Sequence, residues 1–344
     1  MTMIITIMSL ALIKSRRTLI TLTVTVAIVL ISLKAASAIP LFGAGASFPE
    51  PLYQRYFSQY QQETSVNISY STIGSGRGIE EFINESVDFA GTDMPPTDEE
   101  KSQMKRGLQM VPTAGGAVSV IYNLQGVVSS VRLSRETLGK IFTGQISNWK
   151  QVNTYLPRRD IKVVVRSDSS GTSFIFTNYL SAITHGLIKP SRTPDWGFKV
   201  FSSRPQNGGV AGEVRRIDGA IGYVEAHYAV ENNFTSARIE NQEGRYIKPS
   251  LDQASKGLVN VEFNQDFTLK LNDPADGYPI VGLTWLLLYQ KYPTQAKAQG
   301  IKDIVNWILT KGQDFNGELG YTRIPEDIAS QAIEAVNQNI TVGS

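Results

Sequence analysis

The chain has 344 residues, 42% hydrophobic and 19% charged, ordinary values for a globular protein with a sizeable core and length enough for two domains. Lys and Arg number 33 against 31 Asp and Glu, so no net charge favours nucleic acid or an anionic membrane face. With no cysteine, disulfides, thiolate metal sites, cysteine nucleophiles and lipid attachment to a cysteine are all excluded.

The first 38 residues contain Lys14, Arg16, Arg17 and Lys34, no acid, and an apolar run from Thr18 to Leu33 that ends at Ala36-Ser37-Ala38. This pattern predicts a secretory signal peptide cleaved between Ala38 and Ile39. The rival reading, an uncleaved anchor, needs ~20 apolar residues, more than this run supplies. Loss of the four basic residues leaves the exported chain slightly acidic.

Beyond the leader, Pro49 stands at a helix start, where its missing N–H costs nothing. Leu52, Tyr53, Tyr56, Phe57 and Tyr60 then repeat at helical spacing as a buried face. Val66, Ile68 and Tyr70 alternate as a strand that ends in Ile73-Gly74-Ser75-Gly76-Arg77-Gly78, after which a helix is expected from Ile79. Val87–Ala90 is a short strand entering Gly91-Thr92-Asp93. Asp88 reads as a surface or turn residue. Ala117–Tyr122 is a further strand, and Ser134 caps a helix towards Phe142. Asn207-Gly208-Gly209 opens a helix through Val214, and Ala220–Val224 is a strand. The polar stretch 231–276 shows no periodicity. Ile280–Tyr289 is a long buried strand, and helices close the chain over Ala296–Lys311 and Glu326–Asn339. Alternating strands and helices predict an α/β protein with mostly parallel sheet. No linker-like stretch occurs, so Ala117–Leu124 and Pro279–Tyr289 are the expected crossings between two lobes.

One stretch concentrates chemistry. The β-branched run Ile161–Val165 enters Arg166-Ser167-Asp168-Ser169-Ser170-Gly171-Thr172, and Phe176, Tyr179, Leu180 and Ile183 then repeat as a helix. A helix start offers unpaired N–H groups and the positive end of the dipole. Arg166 adds a guanidinium, and Ser170 and Thr172 add hydroxyl donors. Together these form half of an anion cradle. Taken alone, Ser170-Gly171-Thr172 reads as a helix cap. The Gly74 loop lacks both G-x-G-x-x-G spacing and a Gly-Lys-Ser/Thr ending, which argues against a nucleotide site. His185 and His227 read as surface or packed residues, and no metal or cofactor is expected.

Six segments in order carry a resemblance: Gly43-Ala44-Gly45-Ala46-Ser47-Phe48-Pro49, Ile73–Gly78, Val87–Asp93, Ile141–Trp149, Arg166–Leu180 and Gly219–Glu225. Over essentially the whole exported chain the sequence resembles the phosphate-binding proteins of bacterial high-affinity phosphate ABC transporters. The resemblance implies a type II periplasmic binding protein fold, with two α/β lobes joined by two crossing strands and the ligand cleft between them. The lobes are expected over residues 39–122 plus 284–344 and over 123–283. It also implies a periplasmic monomer that passes inorganic phosphate to membrane permease and ATPase subunits. Residue by residue, it places Ser47, the Phe48 N–H, Ser75, Asp93, Arg166, Ser170, Gly171 and Thr172 on the phosphate, with Asp168 pairing Arg166. Arg77 departs from the family's small residues and receives no ligand role.

The chemistry is coherent without the family. A tetrahedral oxyanion needs many inward donors, and hydroxyls, helix-start N–H groups and one bidentate arginine supply them. A carboxylate at Asp93 repels an anion unless a proton lies between them. Phosphate keeps a proton near neutral pH and sulfate does not, so Asp93→Asn is expected to weaken discrimination between them. A secreted phosphatase or serine hydrolase is the enzymatic rival. It needs a base beside the serine or a His/Asp metal cluster, and two distant histidines supply neither. Another oxyanion, such as sulfate, molybdate or arsenate, is the rival within the same architecture.

Overall fold

Short β-branched and apolar runs produce the strands, and β1, β2 and β3 of the first block end in Gly or Thr. The computed structural model describes residues 39–259, 261–271 and 273–343, and the expected leader over 1–38 lies outside them. In chain order the strands are β1 (Leu41–Gly45), β2 (Ile68–Thr72), β3 (Phe89–Thr92), β4 (Gln109–Asn123), β5 (Arg132–Leu133), β6 (Lys162–Arg166), β7 (Ser202–Arg204), β8 (Ala220–Glu225), β9 (Arg238–Glu240), β10 (Tyr246–Ile247), β11 (Val281–Leu288), β12 (Lys291–Tyr292) and β13 (Thr341–Val342).

The principal sheet runs in the order β2-β1-β3-β11-β4-β8-β6-β7. It consists of two parallel blocks, β2-β1-β3 and β8-β6-β7, with the antiparallel pair β11 and β4 between them. β4 pairs with β11 over Gln109–Ala117 and with β8 over Val118–Asn123, so one strand passes from the first block to the second. β11 begins beside that hand-over, Val281 pairing with Ala117. This is the type II fold expected from the sequence. In each block, loops at the carboxyl ends of parallel strands face the same crevice, where open α/β sheets bind ligands.

β4 is far longer than the predicted Ala117–Tyr122. Pro112 and Gly115-Gly116 hid its first half, because proline cannot donate to a ladder and glycine weakens a strand. Here the register shifts where Thr284 and Trp285 pair with Ala114 and Pro112, leaving Thr113 as the extra, bulged residue of β4 beside Pro112. The helix predicted from Ile79 begins at Ser75 and runs to Ile83. Glycine and serine are poor helix formers. Gly78 nevertheless sits in the first turns because its missing side chain lets the helix approach β1: a Cβ there would stand 2.5 Å from Gly45 Cα. The stretch 231–276 holds β9, β10 and the helix Leu251–Leu258, elements too short to show a period. Asp88 is buried rather than superficial: it accepts from the Phe42 N–H at 3.0 Å and pairs with Lys297 Nζ.

The other predicted helices fall close to where periodicity placed them, while the short helices Asp98–Gln103, Trp149–Val152 and Ala226–Glu231 were not anticipated. Helix Glu50–Thr64 buries Leu52, Tyr53, Tyr56, Phe57 and Tyr60, each worth ~1.5–3 kcal/mol of apolar transfer. Tyr53 stacks edge-on against Tyr70, Tyr60 and Tyr56 meet Trp307, and the Tyr53 hydroxyl is paired to Thr113 Oγ1 at 2.9 Å. Beneath the second block Phe142, Phe176, Trp196 and Tyr223 form a matching aromatic cluster. These two aromatic groups lie in one contiguous core that supports both sets of loops.

Candidate anion site at the cleft

β1 ends at Gly45, and Ala46-Ser47-Phe48 cross the carboxyl edge of the sheet before the helix at Glu50. Ser47 and Phe48 are fully buried. The Ser47 carbonyl accepts from the Tyr228 hydroxyl at 3.0 Å, and the Phe48 carbonyl from Tyr321 at 2.7 Å. In a trans peptide the N–H opposes the preceding carbonyl, so Tyr228 turns the Phe48 N–H away from itself.

After β2, Gly74 caps the helix Ser75–Ile83 with φ +90°, a conformation open to glycine. A Cβ there would also lie 2.5 Å from Asp168 Oδ2. Ser75 Oγ accepts from the Gly171 N–H at 3.1 Å and the Asp93 N–H at 3.3 Å, and lies 3.5 Å from Asp93 Oδ2. Asp93, just past β3, is 2% exposed. Thr284 of β11 donates to its Oδ1 at 2.8 Å. Burial pushes the Asp93 carboxyl up to about 7, against the opposing pull of Thr284, the Arg166 charge and Ser75.

From the second block, Arg166 closes β6, and its side chain is 1% exposed. Nε and Nη2 pair with the two carboxylate oxygens of Asp168 at 2.8 and 2.6 Å, whereas the buried Nη1 has no partner among the described residues. Ser170 caps helix Gly171–Ile183, its Oγ accepting from the Ser173 N–H at 3.0 Å. The cap reading of Ser170 is therefore correct, and it coexists with a place at the cleft. Gly171 is where the halves meet. A Cβ there would come within 2.5 Å of Ser75 Oγ and 2.6 Å of Asp93 Oδ2. The Gly76 N–H also bonds to the Ser169 carbonyl at 2.9 Å across the same seam.

All nine residues named from the sequence thus lie in one buried, cross-linked zone. Sequence reasoning missed four others. Asn207, in the first turn of helix Gln206–Arg216, donates to Ser47 Oγ from its backbone N at 3.2 Å and its Nδ2 at 3.0 Å, and to Thr172 Oγ1 at 3.3 Å. Gln206 adopts φ +61°, a strained value for a side-chain-bearing residue, while its N–H reaches Asp168 Oδ1 at 3.2 Å and its side chain the Thr72 carbonyl. Thr284 was detectable as the lone hydroxyl in an otherwise apolar strand. Glu225, fully buried, accepts from the His227 N–H at 3.0 Å and faces the Tyr321 hydroxyl at 3.0 Å. Burial raises its carboxyl to about 8, and the nearby Asp93 adds to the rise. Its sequence signals were an acid ending a buried strand and its place in the Gly219–Glu225 segment, neither of which pointed to the cleft. His227 is packed, its Nδ1 3.2 Å from the Leu319 carbonyl, and His185 is exposed. Arg77 points to solvent and meets Glu81 at 3.5 Å.

Donors converging on a buried cleft, with one guanidinium nitrogen unpaired and one carboxyl held near neutrality, suit a compact oxyanion that brings its own proton. A family model described as a PBP superfamily domain matches residues 32–311. The phosphate-binding protein PstS of Haemophilus influenzae is 31% identical over 313 residues, covering 87% of this chain and 93% of that protein. That of Methanocaldococcus jannaschii is 34% identical over 338 residues, covering 88% and 86%. A high-affinity periplasmic phosphate-binding protein solved with phosphate bound shares the fold, with TM-score 0.78 at 21% identity, over 89% of this chain and 96% of that one. The chain belongs to the PBP superfamily and, within it, to the family of phosphate-binding proteins PstS.

Proposed function

We propose that this protein binds inorganic phosphate between its two lobes, outside the cytoplasmic membrane, and delivers it to the permease and ATPase subunits of an ABC importer. The role is capture and release, not catalysis, as in its relatives. Phosphate sits among Ser47, the Phe48 N–H, Ser75, Asp93, Arg166, Ser170, Gly171 and Thr172, with Asp168 orienting the guanidinium. The observation that carries this reading is the unpaired, buried Nη1 of Arg166 beside loops of both halves already bonded to each other. A buried cationic donor without an acceptor costs free energy unless an anion completes it.

The lobes divide at 122/123 and 283/284, and the exported monomer begins at Ile39 after signal cleavage. An ion that touches donors from both lobes favours the closed arrangement because only that arrangement offers every contact at once. Calorimetry on protein beginning at Ile39, stripped of bound anion, tests the assignment. Titration with phosphate is expected to release binding heat that a large excess of sulfate leaves unchanged. Equal displacement by sulfate, or no binding of phosphate, would overturn it.

A further inference from the structure

We infer that Asn207 is a specificity-determining positioning residue, one that turns Ser47 into a hydroxyl able only to donate. The inference rests on the phosphate reading and refines the same site. A serine hydroxyl has one hydrogen and two acceptor positions. At Ser47 Oγ both acceptor positions are taken by Asn207, through its backbone N–H at 3.2 Å and its Nδ2 at 3.0 Å. The hydroxyl hydrogen must then point to some other acceptor, and among the described residues Ser47 Oγ has none. The acceptor it waits for is an oxygen of the anion.

The amide orientation is settled by chemistry. The Glu225 backbone N–H, which can only donate, faces Asn207 Oδ1 at 3.1 Å. Nδ2 is therefore the atom that faces Ser47 and Thr172, and its two hydrogens serve one hydroxyl each. Both hydroxyls receive from Asn207 and give elsewhere. Ser75 likewise accepts from two backbone N–H groups, those of Gly171 and Asp93, but its own hydrogen already has Asp93 Oδ2 at 3.5 Å, so Ser47 is the cleaner case. Saturating a hydroxyl from behind removes its option to accept a bond from a neutral hydroxylated ligand or from water. The site becomes a set of donors for a ligand whose exposed oxygens accept, and Asp93 remains the one position for the ligand's proton.

Asn207→Asp is the decisive variant, because it keeps shape and an acceptor for the Glu225 N–H while replacing the Nδ2 donor by an oxygen. Ser47 and Thr172 would then turn their hydrogens towards residue 207. Phosphate affinity is measured by calorimetry for the wild type, Asn207→Ala, Asn207→Asp, Ser47→Ala and the double variants. Asn207→Ala is expected to weaken binding ~10-fold, and Asn207→Asp a further ~10-fold or more. Added charge alone would also weaken binding, and the Ser47→Ala background separates the two causes. If hydroxyl direction matters, the excess penalty of Asp over Ala shrinks at least ~3-fold once the Ser47 hydroxyl is gone. An excess that persists unchanged there, or Asp no worse than Ala, would overturn the inference. Should the Asp variant not fold, Asn207→Ala and Ser47→Ala decide: strongly non-additive losses support it and additive losses refute it. Wild-type binding of phosphate with the wrong pattern sinks Asn207 alone. Wild-type binding of a different tetrahedral oxyanion sinks the phosphate reading, and the same series on that ion then judges Asn207. Binding of no oxyanion sinks both.

Discussion

Two strand–loop–helix units of nearly the same composition meet at the cleft, Ile68–Ile83 from the first block and Lys162–Ile183 from the second. Each carries a β-strand, a Gly/Ser loop, a helix start and one arginine. In the second unit Arg166 is the last strand residue, so its side chain is carried by the sheet into the interior, 1% exposed and locked to Asp168. In the first, Arg77 sits within the first turn of the helix and faces solvent, 66% exposed, beside Glu81. Position relative to the strand end, rather than residue type, decides which charge belongs to the site. The first block instead contributes a carboxyl, Asp93, at the corresponding place after β3.

The largest break in that contrast comes from Arg166→Ala. The change removes the unpaired Nη1 donor and leaves the Asp168 carboxylate uncompensated beside the anion. Breaking a buried charge pair costs ~3–5 kcal/mol, so phosphate affinity is expected to fall on the order of 100- to 4,000-fold by calorimetry. Arg166→Ala combined with Asp168→Ala should recover part of that loss, because the repulsive partner has gone too. If the double variant binds no better than the single one, Asp168 is not positioned as described.

Gly171→Ala tests the seam itself. Its Cβ would stand 2.5 Å from Ser75 Oγ and 2.6 Å from Asp93 Cβ, both on the opposite block. Overpacking of this kind costs ~1–3 kcal/mol, or roughly 10- to 100-fold in affinity. The cost falls on the closed arrangement alone, so thermal unfolding without ligand should shift little. A large drop in ligand-free stability with unchanged affinity would contradict this.

Asp93 sharpens the contrast between the acidic and basic sides. With its carboxyl raised to about 7, it carries a proton in mildly acidic solution and can donate to sulfate. As pH rises through that value the proton leaves, and Asp93 can only accept. Phosphate still supplies a hydrogen and sulfate cannot. Discrimination against sulfate is therefore expected to grow on the order of tenfold between pH 6 and pH 8, and Asp93→Asn should be weaker and flat across that range. Competition binding at the two pH values checks the sign. Selectivity that falls with rising pH would reverse the assignment of the proton.

Much of this arrangement was legible in the chain, and what was not has physical causes. Strands ending in small residues and the helix repeat from Phe176 to Ile183 are local signals, so β6, its loop and the helix after it were found together. The start of the Ser75 helix was not, because a Gly-x-Gly turn has low propensity and folds only against Gly45 of another strand. Asn207 and Thr284 act through partners 160 and 191 residues away, Ser47 and Asp93. Their own neighbours in sequence carry no trace of those bonds. Gln206 is similar: its left-handed backbone is visible only once Asp168 and Thr72 stand on either side.

The smallest effect is expected at Arg77, and it is the informative control. The side chain is exposed and paired with Glu81 one helical turn on, at 3.5 Å, where ion pairs contribute only ~0.3–0.5 kcal/mol. It lies on the same helix as Ser75, so long-range attraction of an anion is the one way it could act. Screening over a Debye length of about 8 Å at physiological salt leaves little of that attraction. Arg77→Ala should thus change phosphate affinity by less than about twofold at 0.15 M salt, with a slightly larger effect at 0.01 M. A loss approaching that of Arg166→Ala, independent of salt, would mean that Arg77 reaches the ion directly. The distinction between strand-borne and helix-borne charge would then fail.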